Sequence, residues 1–560
     1  SSNFYVQYFS LLAGDFIAPP GVLNTGGPWT ANTTLFNHAG GMYYHNNGTL
    51  SINPLMSTCT QRTFTLNIIP ATEFYNVDIN ATTACALFPI VTTAAGDVVN
   101  ATNDLSYTDG IVNGKFAVKH DLYISAGVDG GTGSITADGL GMQIYTVDSL
   151  AARICGLIVN KPSGNFIPAA TTKNFSVYYF NLQAGDFTAP VDTLNTGGTW
   201  SVNQVLFNQT GGTFNHNNGT VSFNPVLSGC TQRTFTIDVL PSTALYNFEI
   251  NALPSCSVNP LVVTAAGDIL NVTHDFSHID GTVNGQFSVK NDLRVASGAD
   301  LATGTIYFDG TANQLYTFEA GAQRTCNIII NKTAGSVNPT FATSNFLVQS
   351  ATLQEGDFTA PIGNFDIGGS WSVNQTIFNQ VNGTFHHNNG TLVFNPVQSG
   401  CTQRTFTIDI VPSTEFYNMV FNGIQSCGLN PIITCGGGDS LLVKNQLKYQ
   451  DGICNAIVKE EGNTDVSPTF DGGNGALIFQ GANNQDFDLT GANAFFDGPI
   501  TINKAANDVN LLSPCILDQS GTQSLTLVNG KLRTSAANLL TIGDNVPVTG
   551  ASNSSFIDGP

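Results

Sequence analysis

The sequence predicts an all-β protein whose favoured architecture is a parallel β-helix, or β-solenoid. The 560-residue chain is rich in strand-forming residues, among them 37 Phe. Short runs that alternate apolar and polar residues, such as 219–225 and 233–240, are separated by Asn-Gly, Asp-Gly or Gly-Gly dipeptides. Such alternation is typical of strands and such dipeptides are typical of tight turns. The third observation is that the same text recurs along the chain.

The recurrence has a fixed period. The phrase CTQRTFT occupies 59–65, 230–236 and 401–407, so the interval in the numbering is 171 each time. A fixed period of this kind is the signature of a repeat architecture. The sequence therefore predicts three repeats, the third only a partial match, followed by a divergent tail that is expected to continue beyond the given chain. The predicted segments are 1–173, 174–344, 345–455 and 456–560.

Within one copy, the runs 74–80 and 154–160 share the order apolar-x-x-apolar-x-apolar-Asn, and no linker composition separates the copies. A solenoid explains both features, because stacked turns bury one continuous core. Tandem β-sandwich domains remain the alternative.

The composition limits the possible partners. Only 10% of residues are charged, and 18 Lys and Arg against 39 Asp and Glu give a net charge of −21. Phosphate neutralisation needs cations, so we expect no nucleic-acid partner and no binding to anionic membranes. No run of 18 apolar residues occurs, so we expect no direct membrane insertion.

The eleven cysteines include three pairs that recur in register, and the interval within each pair is 26 in the numbering. If a turn takes on the order of 20–26 residues, each pair lies on adjacent turns at a disulfide's Cα spacing of roughly 5–6 Å. Disulfides would indicate an oxidising compartment, and buried thiols are the alternative. We expect the pairs Cys59–Cys85, Cys230–Cys256 and Cys401–Cys427, with Cys435–Cys454 as a weaker candidate. The partners of Cys155, Cys326 and Cys515 are left open.

No catalytic, cofactor or zinc motif stands out, and we expect no enzyme. Residues kept in all three copies more often build a scaffold than a single active site. The best place for an exception is the acidic group of the tail: Glu460, Glu461, Asp465 and Asp471.

Several repeated polar residues have both a functional and a structural interpretation. The histidines of the HNNGT phrase could bind metal or glycan, but a turn role is favoured; they are His45, His216 and His387. Repeated aspartates could bind Ca²⁺, but no calcium-loop motif accompanies them and they fit ordinary turns; they are Asp15, Asp97, Asp186, Asp268, Asp357 and Asp439. The arginines of CTQRTFT are expected to form ion pairs or to bond carbonyls; they are Arg62, Arg233 and Arg404.

The only tryptophans, Trp29, Trp200 and Trp371, follow the same period. Exposed on one face, they could stack on sugars. Burial with a bonded indole N–H is favoured.

The phrases TFNHNNGTVSFNP (213–225) and LYNFEIN (245–251) and the tail 524–560 resemble repeats of large β-helical surface proteins secreted by Bacteroidetes-type bacteria. The resemblance implies a right-handed parallel β-helix, export by the type IX secretion system and a place outside the cell. It also implies O-glycosylation at Asp-Ser/Thr-apolar triplets, which here offer Ser149, Thr193 and Ser440.

Together these features predict a secreted, cell-surface structural or adhesive protein that acts as a stalk, filament or adhesin. Its expected partners are the type IX secretion machinery, extracellular polysaccharide or other surface components, and further copies of itself. The alternative is an extracellular glycan-binding or polysaccharide-processing β-helix.

Overall fold

A computed structural model describes residues 2–491, 494–518 and 522–560. The chain divides into two compact units, Ser1–Gln286 and Phe287–Pro560. Each unit is a parallel β-solenoid, and together they contain about 22 turns. This confirms the solenoid over tandem sandwiches. Among the described residues, no helix has the length and apolar character needed to cross a membrane.

The described residues form 61 strands, most of them short. The first twenty are β1 (Phe4–Val6), β2 (Phe9–Leu11), β3 (Asp15–Ile17), β4 (Val22–Trp29), β5 (Thr33–His38), β6 (Met42–Tyr44), β7 (Thr49–Met56), β8 (Thr63–Asn67), β9 (Glu73–Phe74), β10 (Asn76–Asn80), β11 (Thr82–Thr83), β12 (Ile90–Thr93), β13 (Val99–Ala101), β14 (Leu105–Val112), β15 (Lys115–Val118), β16 (Leu122–Val128), β17 (Ser134–Ala137), β18 (Gln143–Val147), β19 (Gly156–Pro168) and β20 (Asn174–Val177). The next twenty are β21 (Phe180–Thr188), β22 (Thr193–Trp200), β23 (Gln204–Gln209), β24 (Thr213–Asn215), β25 (Thr220–Leu227), β26 (Thr234–Asp238), β27 (Ala244–Leu245), β28 (Asn247–Asn251), β29 (Leu261–Thr264), β30 (Leu270–Val272), β31 (Phe276–Asp280), β32 (Thr282–Val283), β33 (Gln286–Val289), β34 (Leu293–Val295), β35 (Thr305–Phe308), β36 (Gln314–Phe318), β37 (Asn327–Pro339), β38 (Phe346–Val348), β39 (Ala351–Thr359) and β40 (Asn364–Ile367). The remaining strands are β41 (Ser370–Trp371), β42 (Gln375–Gln380), β43 (Thr384–His386), β44 (Thr391–Phe394), β45 (Val397–Gln398), β46 (Thr405–Asp409), β47 (Glu415–Asn422), β48 (Ile432–Cys435), β49 (Leu441–Asp451), β50 (Ile453–Cys454), β51 (Val458–Glu460), β52 (Asn463–Val466), β53 (Leu477–Phe479), β54 (Gln485–Leu489), β55 (Ile500–Asn503), β56 (Val509–Leu511), β57 (Cys515–Leu517), β58 (Leu525–Arg533), β59 (Leu540–Ile542), β60 (Val548–Thr549) and β61 (Ser555–Asp558).

The core is built from columns of apolar side chains that stack from turn to turn. In the first unit Leu23 of β4 is in register with Leu50 of β7, and Leu50 is in register with Val77 of β10. All three side chains are buried. Because successive side chains of a strand point to opposite faces, the alternating sequence places one apolar column inside and leaves polar residues outside.

The same order of turn lengths occurs in both units. It continues into the tail, where the sequences of the copies no longer match. Six successive intervals between register partners have the same lengths, in the same order, in both units. In the first unit the column runs through Phe4, Leu23, Leu50, Val77, Leu105, Leu122 and Tyr145. In the second it runs through Phe346, Phe365, Leu392, Met419, Leu447, Thr464 and Phe487. The tail therefore has the same turn lengths as the first unit although its amino-acid sequence differs.

A buried polar contact also recurs. The Nζ of Lys161 donates a hydrogen bond to the carbonyl oxygen of Gly139 at 2.9 Å and to Oε1 of Gln143 at 2.5 Å. Burial lowers the pKa of Lys161 to about 8. The same lysine-to-glutamine hydrogen bond joins Lys332 to Gln314, and Lys504 to Gln485. The three glutamines follow the period of the repeats, a signal that sequence reasoning missed in the tail.

Three disulfides connect adjacent turns, as the sequence predicts: Cys59–Cys85, Cys230–Cys256 and Cys401–Cys427, with Cα–Cα distances of 5.4, 5.1 and 5.1 Å. They follow the ends of strands that pair in register, such as Met56 of β7 with Thr83 of β11. Each closes a chain segment in which the cysteines are 26 residues apart.

The predicted pair Cys435–Cys454 is wrong, because both thiols are free. The two cysteines are 19 residues apart, whereas the turn at this point is 21 residues long, so Cys454 lies opposite Ile433, two residues before Cys435. The Cys435 thiol instead donates to the carbonyl oxygen of Asp439 at 3.2 Å. Cys155, Cys326 and Cys515 are also free and buried.

Candidate functional site

The repeated histidines are turn residues. The backbone N–H of Asn47 donates to Nδ1 of His45 at 3.0 Å, and Asn46 and Asn47 both have positive φ angles, 49° and 56°. The His45 ring also stacks on Tyr75 at 5.6 Å. The other two copies have the same contacts, at His216 and His387. The ring nitrogen is thus used within the turn, as the favoured interpretation predicts.

Half of the repeated aspartates accept hydrogen bonds from backbone N–H groups. Oδ2 of Asp97 accepts the backbone N–H of Ile68 at 2.9 Å. Asp268 and Asp439 do the same for the equivalent residues. Asp15 and Asp357 are exposed and Asp186 is half-buried.

Among the described residues, the group with metal-ligand spacing is Asp104, His120 and Asp121. His120 and Asp104 contact each other at 2.7 Å. Two of the neighbouring oxygens are occupied, because Asp104 accepts the N–H of Asp121 and Asp121 accepts the N–H of Ile144. Sequence reasoning did not find this group.

The acidic residues of the tail do not form one cluster. Glu460 is fully buried, and Glu461 pairs with Lys444 at 2.6 Å. Asp465 accepts a hydrogen bond from Gln446. The backbone N–H of Gly452 donates to Asp471. The four side chains therefore have separate environments.

The tryptophans are half-buried, and each lies on a strand in register with the next turn: Trp29 with Met56, Trp200 with Leu227 and Trp371 with Gln398. The expectation of a bonded indole N–H is wrong, because each Nε1 is buried without a hydrogen-bond partner. The ion pairs or carbonyl bonds expected of Arg62, Arg233 and Arg404 are likewise not found within the described ranges, and each Nε is buried and unpartnered.

A cleft opens beside the glycine pair that precedes Trp200. Gly198 has a φ angle of 119°, and a Cβ on it would lie 2.8 Å from the ring of Tyr178. Glycine therefore lets Tyr178 lie against the strand, where its ring meets that of Trp200 edge to face at 5.7 Å. The space beside them measures about 360 Å³. We name it the Arg153 cleft, and it is lined by Asp129, Ala152, Arg153, Tyr178, Gly198, Thr199, Asn224, Val226, Asn251 and Leu253.

Arg153 is the cation of this cleft. Its Nη1 donates to the carbonyl oxygen of Val177 at 2.9 Å. Its Nη2 donates to Oδ1 of Asn195 at 2.9 Å and to Oδ1 of Asn224 at 2.7 Å. Burial lowers the pKa of Arg153 to about 10, so the guanidinium remains charged at neutral pH. No carboxylate oxygen of the described chain lies within 4.0 Å of it.

The equivalent arginine of the next copy is neutralised. Nη2 of Arg324 contacts Oδ1 of Asp366 at 2.7 Å, and their side chains are only 12% and 17% exposed. Asp366 stands at the position of Asn195. The counterpart of Tyr178 is Gln349, which is buried and would lie 1.8 Å from a Cβ on Gly369. Gln349 thus occupies the place beside the glycines.

The first copy has a cleft of about 500 Å³ at the same position, with Gln7 in place of Tyr178. No charged residue lines it; the lining residues are Tyr5, Val6, Gln7, Asn24, Gly26, Gly27, Asn53, Leu55 and Thr82.

Asp129 lines the Arg153 cleft and lies against Asp109. Burial, and after it the Asp109 carboxylate, raises the pKa of Asp129 to about 6. Retaining glycosidases keep their two carboxyls about 5–5.5 Å apart, with the sugar between them. In contrast to that arrangement, the carboxyls of Asp109 and Asp129 interact directly, and Asp451 and Asp471 repeat this contact.

The residues offered for O-glycosylation differ in access. Ser149 is exposed, whereas Thr193 and Ser440 are half-buried. Thr193 also lies inside a ladder, between Asn174 and Thr220. Ser149 is therefore the most accessible of the three.

The chain matches no protein-family model, and no curated protein or solved structure is detectably similar to it.

Proposed function

We propose that this protein is a secreted, cell-surface structural or adhesive β-solenoid, exported as a type IX secretion cargo. The observation that carries the proposal is the same cross-turn disulfide in all three copies. Disulfides persist in oxidising compartments and are rare in the cytosol. The resemblance of the repeats to secreted β-helical surface proteins supports the export route.

A scaffold role is supported by what the copies share. Their common residues make turn contacts, disulfides and core columns. Recurring turn lengths support the division into three repeats of equal period, and the family resemblance supports a right-handed helix. Strands at the ends of such a stack offer open edges for self-assembly.

The test is performed on intact producing cells. An external protease should remove the protein while a cytoplasmic marker stays whole. Alkylation of the denatured, unreduced protein should modify only Cys155, Cys326, Cys435, Cys454 and Cys515. Protection from protease together with eleven reactive thiols would place the protein inside the cell and end the proposal. Negative-stain electron microscopy then separates filaments from isolated rods.

A second candidate function is glycan binding on the same scaffold. The Arg153 cleft favours it, because an aromatic ring, amides and a cation converge there. Sites for small ligands are concave and carry a few such convergent polar groups.

A further inference from the structure

We infer that the Arg153 cleft binds the carboxylate of an acidic sugar, as found in the uronic acid units of a polysaccharide. The inference rests on the proposed extracellular function only for the choice of a polysaccharide as the source of the carboxylate. It assigns the ligand class and the residues that recognise it.

The first argument is charge. Arg153 is charged and partly desolvated, and the oxygens that accept its hydrogen bonds in the protein are all neutral. These three contacts use three of the five N–H donors of a guanidinium. Arginine binds carboxylates with short, charge-assisted hydrogen bonds. An external carboxylate would supply the missing negative charge.

The second argument is the comparison inside the chain. Arg324 makes the same contact to a backbone carbonyl, at Val348, but it also has the carboxylate of Asp366. Asn195 replaces that acid in the earlier copy. Asn195 still accepts a hydrogen bond from Arg153 but carries no charge. The guanidinium is therefore held in place, and its positive charge is available to a ligand.

The third argument is the shape and lining of the cleft. About 360 Å³ lies within the range of small-ligand sites, about 300–1,000 Å³. Tyr178 lends an aromatic ring for the apolar face of a sugar. The amide of Asn251 has no hydrogen-bond partner in the described chain, whereas its counterpart Asn422 donates to Asn395 at 3.1 Å. Asn251 is therefore available to a sugar hydroxyl.

The acid of the cleft, Asp129, does not compete for Arg153. Its Oδ2 is buried, and its carboxyl lies against Asp109. Neither carboxylate oxygen of Asp129 lies within 4.0 Å of the guanidinium.

The experiment is isothermal titration of the full chain at low salt with a galacturonate trimer, its neutral galactose counterpart and a short polyglutamate peptide. We expect binding of the galacturonate trimer and at least tenfold weaker binding of the neutral trimer. Arg153→Gln and Asn195→Asp should each weaken galacturonate binding at least tenfold. Lys115→Gln, which removes an exposed cation elsewhere in the same unit, should leave binding unchanged.

Asn195→Asp keeps the test decisive, because it should mimic the Arg324–Asp366 pair and leave the thermal stability intact or raised. The inference is overturned if the wild-type protein does not bind galacturonate, or binds the neutral trimer equally well. Unchanged binding by both cleft variants would also overturn it, and so would polyglutamate binding of equal strength, which would indicate an acidic peptide. None of these results bears on the cell-surface test, so the two proposals can fail separately.

Discussion

Arg153 and Arg324 stand at the same position of two successive copies, but only Arg324 has an acid to neutralise it. The backbone carbonyl contact is the same in both. Two differences separate the closed ion pair from the open cationic cleft: Asn195 stands in place of Asp366, and Tyr178 stands in place of Gln349. The comparison suggests where function should be sought in a repeat protein: in the positions at which one copy departs from the others.

The converse applies to positions at which all copies agree. The histidine turns, the aspartate contacts to backbone N–H groups and the disulfides recur with nearly equal geometry. They stabilise the turns in each copy, and nothing in them is specific to one place.

The largest expected effect on stability comes from removing a disulfide that all three copies share. Replacing both cysteines of Cys401–Cys427 by alanine should lower the free energy of unfolding by about 3 kcal/mol, because the unfolded chain regains the conformational entropy that a cross-link of this loop length removes. Because Cys230–Cys256 closes an equivalent loop, the same change there should cost about the same. Urea unfolding of both double variants, with and without reductant, measures this. Clearly unequal losses would show that the copies are not energetically equivalent.

The second prediction concerns a departure inside the core. Glu460 is fully buried where the other copies have Val118 and Val289. Burial raises the pKa of Glu460 from 4.5 to about 9. The folded state therefore holds a proton that the unfolded state has already released at neutral pH. Stability is then greatest below pH 4.5 and falls as the pH rises toward 9, with a loss of about 3 kcal/mol by pH 7.

Glu460→Gln cannot ionise and should remove this loss. It should be more stable than the wild-type protein at pH 8, with the difference shrinking toward pH 4.5. Glu460→Val, which restores the residue of the other copies, is the matched control. Like Glu460→Gln, it should lack the loss of stability that the wild-type protein shows as the pH rises. Urea titrations across this pH range measure it, and parallel profiles for all three proteins would refute the prediction.

The fold was largely predictable because periodic text and alternating polarity report the turns directly. The three disulfides followed from the same period, since the cysteine spacing of 26 is within one residue of the turn length of 27 at that point. The prediction of Cys435–Cys454 failed because the turn at that point is 21 residues long and the cysteines are only 19 apart, so that Cys454 lies opposite Ile433.

The Arg153 cleft was harder to predict, since its contacts join residues 42 and 71 positions apart along the chain, Arg153 with Asn195 and with Asn224. A signal did exist, because Asn195 and Asp366 differ between otherwise similar copies. That signal shows that the two copies differ at this position, but it does not show that Arg153 lies beside Asn195. The unpartnered tryptophan N–H groups were equally hidden, because the sequence shows that a tryptophan recurs but not what its ring nitrogen meets.

The smallest expected effect tests the two arginines against each other. Asn195→Asp should stabilise the protein by about 1 kcal/mol, because it gives Arg153 a charge-assisted hydrogen bond. Asp366→Asn should destabilise it by a similar amount, because Arg324 is left with neutral partners only. Both changes keep the side-chain shape, so packing is held constant and the opposite signs isolate the charge. Denaturant unfolding at low and high salt measures the difference, and salt should reduce both shifts because it screens the charges. Shifts of the same sign would mean that the two sites are not versions of one arrangement, and the comparison would have to be abandoned.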